Sequence, residues 1–382
     1  MGEGEQEQKV DGVHYTQKTY TFKKIKDKEI LLDVYSVDNG SIEPASKQPA
    51  VLFFHYGYVI TGDRYAFPKW LLMAALRRGW TFISADHRCL PESTGHDAIE
   101  DCVDAYFFVV KDLSSGDSAI DPNRIIIAGS SGGGYCAVAC SQRLVEKDAS
   151  IEELSLKDRG TEIAIPRPVA VLAIYPMIDL LSPWWTTMNH EENTLSQKEL
   201  DQVRGQIDQD IKNGHISLGE RFAEKDEDLI YQSRWPVLQY VLQTFTYADY
   251  LSGIKGLSQK IALNSSVDWQ QYKDMKARTV PESAQKLFPI DFDNMSSKFP
   301  PLFIVHGTGD RDVPIEDSKA LVNRCGELTV PVRHWWLPGL EHCFDLEYDD
   351  LESSIGEKDL QVGPAGLREL IVTLDNFVCA KD

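Results

Sequence analysis

Short, nearly unbroken apolar runs alternate through the first half of the chain with longer segments whose apolar residues recur at helical spacing. Ala50–His55, Thr81–Asp86, Arg124–Ala128 and Val169–Ile174 are runs of the first kind. Their continuity predicts strands covered on both faces rather than half-solvated ones. Ala66–Arg78, closed by Gly79, and His96–Leu113 and Gly134–Val145 carry the helical spacing between them. The rhythm resumes with the strand pattern Pro301–Val305, the helix pattern Ile315–Cys325, the strand pattern Val330–Leu337 and a last helix near Pro364–Val378. Ahead of all these, Tyr20–Lys24 and Ile30–Val37 flank the charged turn Lys26-Asp27-Lys28-Glu29 and predict an antiparallel hairpin. The order predicts an α/β fold, with a doubly wound, mostly parallel sheet and an antiparallel N-terminal edge.

From residue 183 to 297 the alternation stops. The segment is polar and helical in character, with no internal repeat, and it carries Trp184, Trp185, Trp235, Tyr240, Phe245, Tyr247, Tyr250, Trp269 and Tyr272. An unstructured stretch of that length is foreign to a compact domain, so a folded helical cap is expected there. The core domain is then 1–182 together with 298–382. Aromatic residues in such a segment pack its own interior or line a substrate pocket; Trp184 and Trp185, nearest the core, are the pocket candidates.

One motif changes the picture from architecture to chemistry. Gly129-Ser130-Ser131-Gly132-Gly133 follows a buried strand and opens a helix, with Ser131 at the apex. A G-x-S-x-G run in that setting exposes a serine hydroxyl on a strained turn, at the positive end of a helix. Such a hydroxyl needs a base to take its proton and an acid to orient the base. Asp310 lies in the loop His306–Pro314 after the next-to-last strand, and His342 lies in the loop Pro338–Phe344 after the last one. Both loops leave the sheet at its carboxyl edge, in the order serine, acid, histidine. Asp312 competes for the acid role; Asp312 and Asp317 also suit a helix cap, His306 suits shaping its turn, and His334 sits within a strand pattern. The loop His55-Tyr56-Gly57-Tyr58 follows the first buried strand. Its Gly57 and Tyr58 amides, with that of Gly132, are candidate donors to an oxyanion, and Tyr56 is a candidate wall of the acyl pocket.

Composition narrows the partners. A formal charge of −20 over 382 residues argues against nucleic acid or an anionic membrane surface. No apolar run reaches the length of a membrane span. The first residues, Met1-Gly2-Glu3-Gly4-Glu5-Gln6, lack a signal-peptide pattern, and the seven cysteines form no CxxC pair, so a cytoplasmic protein with reduced thiols is expected. No cofactor and no metal are expected; Cys136 and Cys140, one helical turn apart, suit the core. The expected partner is a small-molecule acyl substrate, free or carrier-bound.

With these motifs in hand, the chain resembles the α/β-hydrolase superfamily, and within it the hormone-sensitive-lipase-like carboxylesterases. His55-Tyr56-Gly57-Tyr58 stands in place of HGGG, His87-Arg88-Cys89-Leu90-Pro91-Glu92 in place of YRLAPE, and Gly129–Gly133 in place of GDSAG; Glu341-His342-Cys343-Phe344 resembles the family's histidine loop. The resemblance spans about residues 20–182 and 298–380. It implies a serine esterase or thioesterase with Ser131 as nucleophile, His342 as base and Asp310 as acid. Tyrosines replace two donor-loop glycines, Ser130 replaces an aspartate, and the acid loop departs from DPLRD. The long insertion also follows Ile174, whereas the family's cap is often largely N-terminal. These features are similar to divergent fungal hydrolases, including members beside polyketide pathways. That likeness implies acyl-thioester release or cyclisation as the alternative chemistry, and the fold's reuse as a small-molecule receptor implies a non-catalytic one.

Overall fold

The computed structural model describes residues 3–10, 12–37, 47–115, 119–147, 165–187, 195–223, 228, 232–263, 269–352 and 361–380. Nine strands form one sheet: β1 (Glu3–Val10), β2 (Val13–Ile25), β3 (Lys28–Val37), β4 (Gln48–Phe54), β5 (Thr81–Ala85), β6 (Ile120–Ser130), β7 (Ala170–Ile174), β8 (Leu302–Gly307) and β9 (Val332–Leu337). Their order is β1-β2-β3-β5-β4-β6-β7-β8-β9. The first three strands and the β3/β5 pair are antiparallel, and every pair from β5 to β9 is parallel. The expected mostly parallel α/β sheet with an antiparallel edge is therefore the one observed.

Strand faces sort cleanly into two layers. Leu52, Phe54, Ile83, Ile125, Ile127, Val171 and Ile304 point to one side, where α2 (Gly95–Phe108), α3 (Gly132–Lys147) and α11 (Ile315–Glu327) cover them. Val51, Phe53, Phe82, Ile126, Leu172 and Phe303 point to the other, against α1 (Lys69–Arg77) and α12 (Val362–Cys379). Residues one apart thus serve opposite cores, as the pleat requires.

Among the differences from the sequence pattern, three have a local reason. The helix expected from Ala66 starts at Lys69, because Pro68 disfavours helical backbone in the residue before it. The hairpin is longer than its apolar core suggested, and its turn is only Lys26-Asp27, with Lys26 left-handed at φ 55°. Strand β1, EGEQEQKV, is almost wholly polar and has no pattern to detect; such charge is common on a sheet edge.

Between β7 and β8 the described residues form helices and no named strand. They are α4 (Pro183–Thr186), α5 (Gln197–Lys212), α6 (Trp235–Gln243), α7 (Tyr247–Ser252), α8 (Leu257–Ala262), α9 (Trp269–Thr279) and α10 (Glu282–Gln285). Residues 188–194, 224–227, 229–231 and 264–268 of the expected cap lie outside the described residues. Val237, Val241, Tyr247, Leu251, Leu257, Ile261, Tyr272 and Phe288 join the same apolar cluster as the sheet face beneath them. Two buried polar anchors fix this layer. Arg234, just before α6, clasps Glu92 through Nη1 at 2.6 Å and Nη2 at 3.0 Å and donates from Nε to Ile60 O at 3.0 Å. Lys276 on α9 pairs with Asp291.

Asp317 is a third anchor. It does not cap its own helix: its carboxylate accepts from Ile178 N at 2.8 Å, Asp179 N at 3.2 Å and Trp185 Nε1 at 3.3 Å, tying α11 to the start of the insertion. Burial pushes its carboxyl up to about 7 against those donors. Asp317→Leu strands three donors and should lower unfolding free energy by about 3 kcal/mol. A carboxyl raised in the folded state stabilises fully below its unfolded value near 3.8 and loses that contribution as pH rises through about 7. The stability of Asp317→Asn relative to the parent, read from urea midpoints, should therefore improve between about pH 5 and 8. A constant difference across that range overturns the assignment.

Candidate active site

The strand order reverses between β4 and β6, since β5 lies on one side of that pair and β7 on the other. In open α/β sheets the crevice at the carboxyl ends of such strands is where ligands sit. Four loops converge there.

Ser131 links β6 to α3 with φ 53°, a left-handed backbone for a non-glycine residue. The flanking glycines make that turn feasible. A Cβ on Gly133 would stand 2.0 Å from Phe54 O, and one on Gly129 would stand 2.1 Å from Gly133 O. Ser131 N donates to Ile174 O at 2.9 Å, while Ser131 O accepts from Tyr135 N at 3.1 Å and Met177 N at 3.2 Å. The hydroxyl is thus presented by a backbone held on both sides.

His342 Nε2 lies 3.1 Å from Ser131 Oγ, and its Nδ1 lies 2.7 Å from Asp310 Oδ2. The other carboxylate oxygen, Oδ1, accepts from Asp312 N at 3.0 Å and Val313 N at 2.9 Å. Asp312 thus contributes its amide to the Asp310 carboxylate, which is what contacts His342. Burial pushes Asp310 up, but hydrogen bonds from His306 and His342 outweigh it and hold the carboxyl well below the usual range. Burial works against charge on His342 too; there the Cys343 thiol and Asp310 outweigh it and raise the imidazole well above 6.5.

Several supporting residues escaped the sequence pattern. His306 does more than shape its turn: Nδ1 meets Ser318 Oγ at 2.7 Å, and Nε2 lies 3.0 Å from Val313 O and 3.1 Å from Asp310 Oδ2. Tyr175 packs its ring edge-on against His342, centroids 4.6 Å apart, and donates its hydroxyl to the buried Asp345, which also accepts from Trp70 Nε1 at 3.0 Å. These partners lie far apart in the chain, and no spacing rule joins them. His334 is exposed and stacks on Trp336.

The loop expected to donate to an oxyanion lies against the start of α3: a Cβ on Gly132 would stand 2.6 Å from Val59 N and 2.9 Å from Tyr58 Cα. Gly57 has φ 116°, and a Cβ there would strike Thr61 O at 2.3 Å. Tyr58 and Val59 follow in left-handed backbone, φ 59° and 58°. Tyr247 of α7 donates to Tyr58 O at 2.7 Å, so a helix of the insertion pins this loop. Tyr56 stacks on Phe222 at 5.2 Å. Trp185 is only 2% exposed, packed against Tyr58 and Tyr247. Trp184 is half-buried on the edge of the main apolar cluster.

Residues 51–225 match the sequence profile of the family described as alpha/beta hydrolase fold. That match covers just under half of the chain, whose sheet and helices have the α/β-hydrolase fold. It is similar to a non-reducing polyketide synthase, Preu3, of Preussia isomera, at 24% identity over 88% of this chain and 13% of the synthase. Lipase 2 of a Moraxella strain is 27% identical over 37% of this chain and 34% of its own length. A probable carboxylesterase, M8, of a Phoma strain is 25% identical over 42% of this chain and 54% of its own length. The chain therefore spans about half or less of these curated relatives. Among solved structures, an alpha/beta hydrolase superfamily protein from Enterococcus faecalis superposes with a TM-score of 0.56 at 16% identity, covering 94% of this chain and 98% of that one. An esterase of Pyrobaculum calidifontis superposes at 0.53 with 15% identity, covering 95% and 85%. Among the described residues no helix is long and apolar enough to cross a membrane.

One cluster beside the site was invisible to spacing. His55, at the end of β4, and His87 and Cys89, after the adjacent β5, bring three ligand atoms within 4.8 Å of one another, all buried.

The acid assignment is open to a spectroscopic check. Asp310→Asn should remove the strongly deshielded Nδ1 proton of His342 from the low-field NMR spectrum and lower the imidazole's titration midpoint, which the parent protein should hold above 6.5. Asp312→Asn should preserve both. The reverse pattern would transfer the acid role to Asp312.

Proposed function

We propose that this chain is a serine hydrolase cleaving carboxylic esters or thioesters of a mostly apolar acyl group. The observation that carries this reading is the continuous hydrogen-bonded line from Ser131 Oγ through His342 to Asp310, on a serine with left-handed backbone. Ser131 Oγ attacks the acyl carbonyl while His342 Nε2 takes its proton. Asp310 accepts from Nδ1–H, which fixes the tautomer and favours the imidazolium that forms. The tetrahedral oxyanion takes hydrogen bonds from the amides of Gly57, Tyr58 and Gly132, and such preorganised donors are each worth about 3 kcal/mol at the transition state. His342 returns the proton to the leaving oxygen or sulfur, and the acyl group stays on Ser131. Water then enters along the same path, with His342 as base, and the acid is released. No step draws on a metal or cofactor.

The lipase and carboxylesterase among the relatives support hydrolysis of esters. The match to the synthase Preu3 supports a narrower reading, because it extends over 88% of this chain and so includes much of the helical insertion. On that reading the acyl group arrives as a polyketide thioester, and water or a hydroxyl of the chain itself displaces Ser131.

A fluorophosphonate probe should label the protein at Ser131, and Ser131→Ala should abolish both labelling and hydrolysis of p-nitrophenyl esters, a loss of about 10⁴-fold or more. Ser130→Ala should retain labelling; loss of labelling there with retention in Ser131→Ala sinks the nucleophile assignment. Comparing a p-nitrophenyl ester with the N-acetylcysteamine thioester of the same acid separates the two readings. A kcat/KM preference for the thioester favours the synthase-like one.

Tyr56→Ala removes one wall beside the donor loop. It should raise KM for long acyl esters more than for acetate esters, since remote contacts act on the larger substrate. Equal effects on both would leave Tyr56 a purely structural neighbour of Phe222.

A further inference from the structure

We propose that His55, His87 and Cys89 form a binding site for one Zn²⁺ ion beneath the donor loop. The inference is independent of the reaction proposed above. Its first support is the orientation of the two imidazoles. His55 Nδ1 faces Tyr56 O at 3.0 Å, and His87 Nδ1 faces Arg88 O at 3.1 Å. A carbonyl can only accept, so both Nδ1 atoms carry hydrogen. That leaves Nε2 of each ring as the ligating atom, the arrangement by which a backbone carbonyl fixes the tautomer of a metal-binding histidine.

The second support is an unpartnered atom. His55 is 1% exposed, and its Nε2 has no hydrogen-bond partner. A buried lone pair left without a donor is costly in a native interior. The rings stack 4.2 Å apart at an interplanar angle of 7°, and one nitrogen of each ring and Cys89 Sγ lie within 4.8 Å of one another. Cys136 Sγ, 4.0 Å from His87 Nε2, adds a second sulfur at the edge.

Donor chemistry selects the ion. Two imidazoles and a thiolate suit a borderline-soft cation and not Mg²⁺ or Ca²⁺, which take oxygen ligands. Zn–N bonds of about 2.0 Å and Zn–S bonds of about 2.3 Å place tetrahedral ligands about 3.3–3.6 Å apart. The present spread of up to 4.8 Å is therefore within about 1.5 Å of a closed site. Tilting the two rings out of their parallel stack supplies that motion. On binding, the Cys89 thiol releases its proton to solvent and the thiolate ligates. No electron is transferred.

The location gives the ion a structural reach. His55 runs directly into Tyr56-Gly57-Tyr58, and Cys89 N donates to Ser217 O at 2.9 Å, in the cap segment that covers the cluster. A Cβ on Gly219 would lie 3.4 Å from Cys89 Sγ. An ion held here joins the ends of β4 and β5 under the irregular segment of the insertion around Ser217.

The test uses the full chain, reduced and stripped with EDTA, and titrated with Co²⁺ as a spectroscopic stand-in for Zn²⁺. One equivalent should produce a near-ultraviolet thiolate-to-cobalt charge-transfer band together with visible d–d bands of tetrahedral strength, and Zn²⁺ should displace both. Cys89→Ser should lose the charge-transfer band, and His87→Gln should weaken binding at least tenfold. Circular dichroism checks that each variant is folded, and either variant alone suffices if the other is not. Cys343→Ser, beside His342, and Cys379→Ser, on the surface, should keep the band. Absence of a stoichiometric band in the parent, its persistence in Cys89→Ser, or its loss in Cys343→Ser or Cys379→Ser overturns the proposal.

Discussion

The site depends on a single backbone constraint, the left-handed turn at Ser131. An L-residue in that conformation costs roughly 1–2 kcal/mol, because Cβ crowds the following carbonyl. The surrounding structure offsets this by approaching so closely that nothing but glycine fits at 129 and 133. The approach in turn fixes where β4 ends, since Phe54 O is the atom against which Gly133 lies. The position of the donor loop follows, because it begins one residue later. Strand pairing, helix start and donor-loop placement are therefore consequences of one turn.

Around His342 the electrostatics are arranged in layers. Asp310 is wholly shielded from solvent at its side chain, yet it stays ionised because two imidazoles and two backbone amides converge on it. His306 is held by Ser318 and Val313 and in turn contacts Asp310, which restrains that carboxylate beside His342. Beneath the imidazole, Tyr175 and Asp345 form a second polar layer anchored on Trp70 of α1. The two faces of the sheet thus both hold the histidine loop, one through α11 and the other through α1.

Much of this was legible in the chain because it is local. A buried run followed by G-x-S-x-G marks a strand, a turn and a helix within about twenty residues, and Asp310 and His342 sit just past runs equally plain to read. What stayed hidden depends on long-range contact. Asp317 sits near a helix start and reads as a cap, but its partners lie about 140 residues earlier. Arg234 is one charge in a polar segment until Glu92 is seen against it. His55 and Cys89 are separated by 33 residues and meet only because β4 and β5 are parallel neighbours. Strand β1 escaped for the opposite reason, since an edge strand without apolar residues has no periodicity to display.

The sharing of one apolar cluster between the sheet and the helices of the insertion has a consequence for how such a protein can diverge. An insertion with its own closed interior could be exchanged as a cassette, leaving the sheet intact. Here Val237, Tyr247, Leu257 and Phe288 share one buried cluster with Val138, Leu180 and Ile304, and their removal would open the sheet's own interior to water. Variation in what the protein accepts must then accumulate by substitution at half-buried positions facing the crevice, one side chain at a time. The scaffold is conservative in its plan and adaptable only at its lining.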